Sequence, residues 1–288
     1  MATLADFKTD QRPTWCPGCG DFGVLTSLQK AAVAAGINPD EMVVVGGIGC
    51  SGKLPQHFGS YGFHGLHGRS IPVATGVKMS RPELTVVAAG GDGDGYGIGL
   101  GHMLHAIRRN VDITYIVMDN HIYGLTTGQA SPTSETGHKT KTSPQGVVEN
   151  PINPLALALS AGIGFLAQGF SGNIKQLTEL VEKALKHKGF ALVNVFSPCV
   201  TFNKQNTYDW YRENLVNLDE QPAHDIRDRK AAVQTVLEIG DRCTGVLFHD
   251  ESRKSYDELL HPNGYQSLIQ KEIEFDEAEF EKIVSSWY

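Results

Sequence analysis

The sequence predicts an α/β fold, a doubly wound parallel sheet followed by a C-terminal extension. Three observations carry this expectation. Short β-branched runs stop at glycine or at a polar turn, helix-like stretches lie between them, and the 32 glycines cluster where apolar runs end. Taken in order, residues 24–35 have the pattern of a helix, and 42–45 (MVVV) form a buried strand ended by Gly46-Gly47. Residues 84–89 (LTVVAA) form a second strand, ended by Gly90-Gly91, and 98–109 a helix. The run 113–118 ends at Asp119-Asn120 and reads as a third strand. Helices are expected over 154–161 and over 174–188, the latter stopped by Gly189. A fourth strand, 191–196, ends at Ser197-Pro198-Cys199. Continuous apolar strands alternating with helices mark a parallel sheet covered on both faces, which presents functional groups where its strands stop.

Residues 1–210 are expected to form the ligand-binding domain and 211–288 an extension, because the sheet pattern fades after Asn203. The stretch 227–288 reads as a mixed, charged segment around one apolar run, 245–248, which clasps a partner or packs on the main domain. Residues 126–150 are rich in Ser, Thr, Gly and Pro, a loop length usually reserved for function or disorder. A hydrophobic content of 41% is ample for a core. The net charge of −7 argues against nucleic acid as a partner, since phosphate binding needs a concentrated positive surface. No apolar run approaches the ~20 residues of a membrane span, and polar residues 1–12 lack a signal peptide's hydrophobic stretch, so a cytoplasmic protein is expected. In a reducing compartment Cys16, Cys19, Cys50, Cys199 and Cys243 suit metal ligation or redox work better than disulfides.

The strongest local signal is Gly-Gly-Asp-Gly-Asp-Gly at 90–95, after a strand and before a helix. A divalent cation on a diphosphate needs hard oxygen ligands, and glycines beside them let backbone N–H groups approach phosphate. Asp92 and Asn120 suit that work. Their separation, 120 − 92 = 28 positions, leaves room for a helix and a return strand, which brings both to adjoining loops at one sheet edge. A glycine-rich turn that merely closes the connection, or one that serves a nucleotide, is the plainer alternative. A dinucleotide turn fits less well, because carboxylates at 92 and 94 repel a pyrophosphate that lacks a metal.

Cys16 and Cys19 form a Cx₂C, Cys50 sits in the glycine-rich turn 47–52, and Cys199 follows Ser197-Pro198. Four thiolates complement either a [4Fe–4S] cluster or a structural zinc, and spacing does not choose between them. A thioredoxin-like dithiol at Cys16 and Cys19 leaves Cys50 and Cys199 without a role, and a lone Cys is ordinarily a small buried hydrophobe.

Taken together, WCPGCGDFG, GIGCSGK, HGR, GDGD, YGLTTGQ and SPCVTFN, in this order between Thr14 and Asn203, resemble the β subunit of 2-oxoacid:ferredoxin oxidoreductases. That resemblance implies a thiamine-diphosphate fold in which Asp92, the Asn120 side chain and the Ile122 carbonyl hold Mg²⁺. It places Ile48, Gly49, Cys50, Ser51, His67, Gly93, Asp94, Gly124 and Leu125 against thiamine diphosphate. Cys16, Cys19, Cys50 and Cys199 would ligate a [4Fe–4S] cluster, with Cys243 outside the pattern. Lys53 and His67 become candidate catalytic groups, against a plainer reading of Lys53 and Arg69 as solvated charges and of His57, His64 and His67 as loop histidines. The implied reaction is oxidative decarboxylation of a 2-oxoacid with coenzyme A, electrons leaving through the cluster to ferredoxin. Leu125, where pyruvate-restricted relatives carry a polar residue, favours 2-oxoglutarate or a broad 2-oxoacid range. Thr127 stands where some broad-range relatives carry lysine, so recognition of a distal carboxylate falls to another group. A second, α subunit is required, in an αβ or α₂β₂ complex, because the glutamate that activates the cofactor has no place in this chain.

Overall fold

The computed structural model describes residues 2–262, 264 and 276–287. In chain order the elements are α1 (Asp21–Ala34), β1 (Met42–Gly46), α2 (Leu54–His57), β2 (Tyr61–His64), α3 (Ser70–Ser80), β3 (Thr85–Gly91), α4 (Leu100–Arg109) and β4 (Thr114–Asp119). There follow β5 (Ile122–Tyr123), β6 (Gln129–Ala130), α5 (Pro154–Ser160), β7 (Phe165–Phe170), α6 (Ile174–Lys186) and β8 (Ala191–Phe196). The chain continues through α7 (Tyr208–Asn214), β9 (Val216–Asn217), α8 (Arg229–Ile239), β10 (Cys243–His249), α9 (Tyr256–Leu260) and α10 (Glu277–Ser285).

Eight strands make one sheet in the order β2-β1-β3-β4-β8-β7-β10-β9. The first six run parallel, and β10 adds antiparallel to β7. Each central strand is buried along its length and divides its side chains between two cores, as the pleat requires. Met42, Val44, Val87, Ala89, Ile116, Met118, Val193 and Val195 pack beneath α1 and α6. Val43, Val45, Val86, Ala88, Tyr115, Val117 and Leu192 face α3, α4, α5 and α8. Fully burying one such aliphatic side chain stabilises by about 1.5–3 kcal/mol, so these two sets hold the sheet between its helix layers.

Helix ends follow the sequence chemistry. Asn153 caps α5 and Asn173 caps α6, each side chain accepting from the backbone three residues on. Asn110 closes α4 in the left-handed conformation.

The apolar run inside the expected extension is β10, a member of the main sheet. Residues 263, 265–275 and 288 of that extension lie outside the described residues. The long loop 126–150 is tied to the domain by buried polar groups: Thr133 bonds Asp92, Ser134 the His121 carbonyl and His138 the Gln205 side chain, with Ser131 buried beside them. Among the described residues no helix is long and apolar enough to cross a membrane.

Candidate active site

Four neighbouring strands, β1, β3, β4 and β8, end at the same sheet edge and release the loops that carry Cys50, Asp92, Asn120 and Cys199. Above that edge lies a cavity of about 460 Å³, within the usual range for a small-molecule site. Its wall contains Ile48, Gly49, Cys50, Ser51, His67, Gly93, Asp94, Gly124 and Leu125, together with Asp92, Asn120 and Ile122. Asp21, Gly91, Met118, Tyr123, Thr126, Gln129 and Ala130 complete it. Lys53 does not line it, but its ammonium lies near Asp21 and Cys50 and favours their charged forms.

The oxygen-bearing side is held from behind. Asp92 is buried, and Thr133 Oγ1 donates to its Oδ2 at 2.8 Å while lying 3.0 Å from Asp119 Oδ1. Burial and the nearby Asp119 push the Asp92 carboxyl up to about 7. Thr133 is itself anchored, for His121 Nδ1 lies 2.8 Å from its carbonyl and Ser134 Oγ donates to the His121 carbonyl at 2.6 Å. Asn120 Oδ1 accepts from the Ile122 N–H at 3.0 Å and keeps a second lone pair, while Asn203 Nδ2 donates to the Asn120 carbonyl.

Asp94 organises the opposite lip. Its Oδ1 accepts from the backbone N–H of Ile48 at 2.8 Å and of Gly68 at 2.7 Å, with His67 Nδ1 at 3.1 Å. One carboxylate thus joins the Ile48 turn to the His67 turn. The glycines nearby are required by crowding: a Cβ on Gly47 would stand 1.9 Å from Asp94 Oδ2, and one on Gly93 2.2 Å from the Tyr123 ring. The Tyr123 hydroxyl donates to the Gly93 carbonyl at 3.0 Å.

The cysteines gather beside this cavity. Cys50 lines it, and Cys199 Sγ lies 3.5 Å from where a Cβ on the lining residue Gly124 would stand. Burial first, then the Asp21 charge, pushes the Cys50 thiol up to about 11, with Cys199 and Cys16 adding repulsion. Cys19 is raised further by burial, Asp21, Cys50 and Cys199. Cys19 and Cys50 thus each lie within electrostatic reach of other thiols, although among the described residues no three His, Cys, Asp or Glu converge on a point that suits one metal ion. Trp15 Nε1 donates to the Cys50 carbonyl at 2.7 Å and ties the Cx₂C segment to the Cys50 turn. Cys243 is buried in β10, far along the sheet order, with Gln168 donating to its carbonyl.

Sequence reasoning passed over two residues here. Asp21 is a buried carboxylate that lines the cavity next to Cys19, and its only advance sign was a charge just after the Cx₂C. Thr133 left no local sign at all, since its contact with Asp92 spans 41 positions.

A glycine-rich strand-to-helix turn with a carboxylate, joined by an Asn-bearing loop over one cavity, defines the diphosphate-binding module of a thiamine enzyme. Residues 47–195 match the family described as thiamine pyrophosphate enzyme, C-terminal TPP binding domain. Residues 199–263 match the family of the C-terminal part of the pyruvate ferredoxin oxidoreductase beta chain. The 2-oxoacid:ferredoxin oxidoreductase subunit beta of a Sulfolobus species is 46% identical over 267 residues, covering 88% of each chain. The 2-oxoglutarate synthase subunit KorB of Methanocaldococcus jannaschii is 40% identical over 259 residues, covering 90% of this chain and 95% of the relative. A solved 2-oxoglutarate:ferredoxin oxidoreductase from Magnetococcus marinus, with 2-oxoglutarate, coenzyme A and succinyl-CoA bound, superposes with a TM-score of 0.90 at 42% identity over 98% of this chain and 96% of its own. The chain belongs to the β subunits of the 2-oxoacid:ferredoxin oxidoreductases.

Proposed function

We propose that this subunit holds thiamine diphosphate through Mg²⁺, carries a [4Fe–4S] cluster, and serves the oxidative decarboxylation of a 2-oxoacid, 2-oxoglutarate foremost, with coenzyme A as acyl acceptor. One observation carries the reading: a single cavity is lined both by Asp92, Asn120 and Ile122 and by Cys50.

The residues fit the groups. A carboxylate, an amide oxygen and a main-chain carbonyl are the hard donors a magnesium ion takes, and a divalent charge would keep Asp92 ionised against its burial. Buried thiols with raised pKa values need positive charge nearby to become thiolates, and iron supplies it. An electron path needs a redox centre, which a [4Fe–4S] cluster on four thiolates supplies and a zinc ion does not. When bound, thiamine diphosphate supplies the carbanion chemistry of decarboxylation. The Ile48–Ser51 turn and His67 border the cofactor from the lip that Asp94 organises, with Gly93, Gly124 and Leu125 completing its enclosure. Lys53, off the cavity wall, supplies positive charge beside Asp21 and Cys50. Leu125, 47% exposed, gives the substrate an apolar contact at the mouth, and Thr127 is exposed on the same turn.

No glutamate lines the cavity among the described residues, so the acid that activates the cofactor comes from an α subunit in an αβ or α₂β₂ complex. Ferredoxin takes the electrons one at a time. The test is co-purification with the α subunit, analysis for iron, acid-labile sulfide and thiamine diphosphate, and viologen reduction across a panel of 2-oxoacids with coenzyme A. A colourless complex without thiamine diphosphate would end this reading, and faster turnover of pyruvate than of 2-oxoglutarate would reassign the substrate.

A further inference from the structure

A second cavity, of about 540 Å³, lies behind the candidate active site and shares none of its lining residues. Its wall includes His121 and Thr133, which back Asp92, Glu135 from the 126–150 loop, and Phe196, Trp210 and Asp241. His121 is 5% exposed: its Nδ1–H donates to the Thr133 carbonyl at 2.8 Å, and its Nε2 has no hydrogen-bond partner among the described residues. Asp241 and Glu135 repel each other, and neither forms an ion pair among the described residues. Arg242 stands exposed at the rim, with its Nε donating to the Ile239 carbonyl instead. With Asp119, whose Oδ1 lies 3.8 Å from His121 Nδ1, three carboxylates act around one imidazole, so negative charge dominates whichever proton state the ring holds. Phe196 stacks on His121 with ring centroids 5.8 Å apart, and Trp210 adds a half-buried ring. A concave, negatively charged space with aromatic walls fits an organic cation, which carboxylates bind by charge-assisted hydrogen bonds and ring faces by their quadrupole.

We propose that this cavity binds a small organic cation, an ammonium or guanidinium group on a short apolar body, and that its occupancy braces the 126–150 loop. A cation held between Glu135, on the loop, and Asp241, two residues before β10, favours the arrangement in which Thr133 Oγ1 donates to Asp92 Oδ2. Binding free energies couple reciprocally, so a cation that favours the bonded Thr133–Asp92 pair tightens whatever Asp92 holds, and is tightened by it. The coupling rests on the reading of Asp92 as a magnesium ligand; the binding does not.

Isothermal titration calorimetry of the αβ complex with butylguanidinium, and with butylurea as its uncharged isostere, tests the binding. Wild type should take one butylguanidinium per β subunit at millimolar affinity or tighter, and butylurea roughly 10-fold or more weakly, since hydrogen bonds between charged groups are the stronger ones. Asp241→Asn should weaken butylguanidinium by roughly 10-fold. Glu135→Gln, at an exposed position, should weaken it severalfold, and it decides the matter alone if Asp241→Asn fails to assemble. In wild type the cation should raise the affinity for thiamine diphosphate with Mg²⁺ in equilibrium dialysis, and Asp241→Asn should abolish that rise. No binding, equal binding of butylurea, or undiminished binding in both variants overturns the site. Binding that both variants weaken, but that leaves cofactor affinity unmoved, overturns the coupling. A wild-type complex that binds butylguanidinium yet holds no thiamine diphosphate strikes the cofactor reading and leaves the cation site standing.

Discussion

Replacing Asp94 by alanine tests whether one carboxylate holds the cavity's lip together. The substitution removes the acceptor for two backbone N–H groups, Ile48 at 2.8 Å and Gly68 at 2.7 Å, and a contact with His67 at 3.1 Å. The Gly68 amide is buried, and a buried donor left unpaired costs about 1–3 kcal/mol. The Ile48 amide is only partly buried, so water recovers some of its loss, and about 1 kcal/mol remains. His67, 39% exposed, turns to water at little cost. The sum is roughly 2–4 kcal/mol, and at about 2 °C for each kcal/mol in a chain of this size the melting temperature falls by roughly 4–8 °C. Asp94→Asn is the control. Burial outweighs the hydrogen bonds in setting this carboxyl's pKa, which is raised, so the lip depends on an acceptor more than on a charge. The amide should therefore recover most of the loss. Thermal denaturation and fluorescence titration with thiamine diphosphate and Mg²⁺, both on the αβ complex, read the outcome. The reasoning fails if Asp94→Ala melts within about 1 °C of wild type and binds cofactor unchanged, or if Asp94→Asn is damaged equally.

Three further outcomes follow from the same structure. Thr133→Val removes a hydroxyl bonded to a buried carboxylate, worth about 1.5–3 kcal/mol, and should weaken Mg²⁺-dependent cofactor retention by roughly 10- to 100-fold, with Thr133→Ser restoring it; equilibrium dialysis would show it. Lys78 is buried, 2.8 Å from Asp112 and 2.9 Å from the Leu84 carbonyl, while Asp112 also has Lys188 at 3.7 Å and accepts from the Gly189 N–H, so Lys78→Met should cost about 1.5–3 kcal/mol in urea denaturation, part of it recovered in Lys78→Met with Asp112→Asn. His187 is buried, which first by desolvation and then by repulsion from His249 lowers its pKa to about 4 from the 6.5 of the unfolded chain. Between pH 6.5 and 4 the unfolded state alone takes up this proton, so stability should fall by about 1.4 kcal/mol per pH unit across that window and level off below it, and His187→Gln should remove this component from the denaturation profile.

The sequence displayed those parts of the fold whose cause is local. Strands β1, β3, β4 and β8 showed themselves because both their faces are buried and their residues are uniformly apolar up to a glycine or polar stop. β7 went unread because Gln168 interrupts it, and that residue is tolerated in the core only because Asn194 donates to it at 2.8 Å and it donates in turn to the Cys243 carbonyl at 2.7 Å. Nothing local encodes partners 26 and 75 positions away. β2 went unread because it is an exposed four-residue edge strand containing glycine. Among site residues, the expected cofactor positions and Asp92, Asn120 and Ile122 share one cavity because each sits in a motif near a strand end, whereas Cys16, Cys19, Cys199 and Lys53 stand off its wall. Thr133 and Asp21 act through tertiary contacts, and only coordinates expose such contacts.

The level ending of the strands explains how loops up to 149 positions apart come to share one cavity, counting from Cys50 to Cys199 as 199 − 50. Gly46 pairs with Ala89 across β1 and β3, Gly91 with Met118 across β3 and β4, and Asp119 with Phe196 across β4 and β8. Sheet order then sets the oxygen-bearing loops in the middle and the Cys50 and Cys199 loops on either side. A slip of β3 by one residue would carry Asp92 about 3.3 Å from its place and turn Val87 and Ala89 out of the core beneath α1 and α6. One direction of slip would seat Val86 and Ala88 in the places of Val87 and Ala89 with little change there, but on the opposite face it would set Thr85 and Val87 in the places of Val86 and Ala88, and overpacking of that kind costs about 1–3 kcal/mol. Placement of the ligand-bearing loops therefore rests on side-chain volumes inside the strands together with the polar contacts of Asp94, Thr133 and Asn203, since a misfit in the core and a lost buried acceptor each cost about 1–3 kcal/mol.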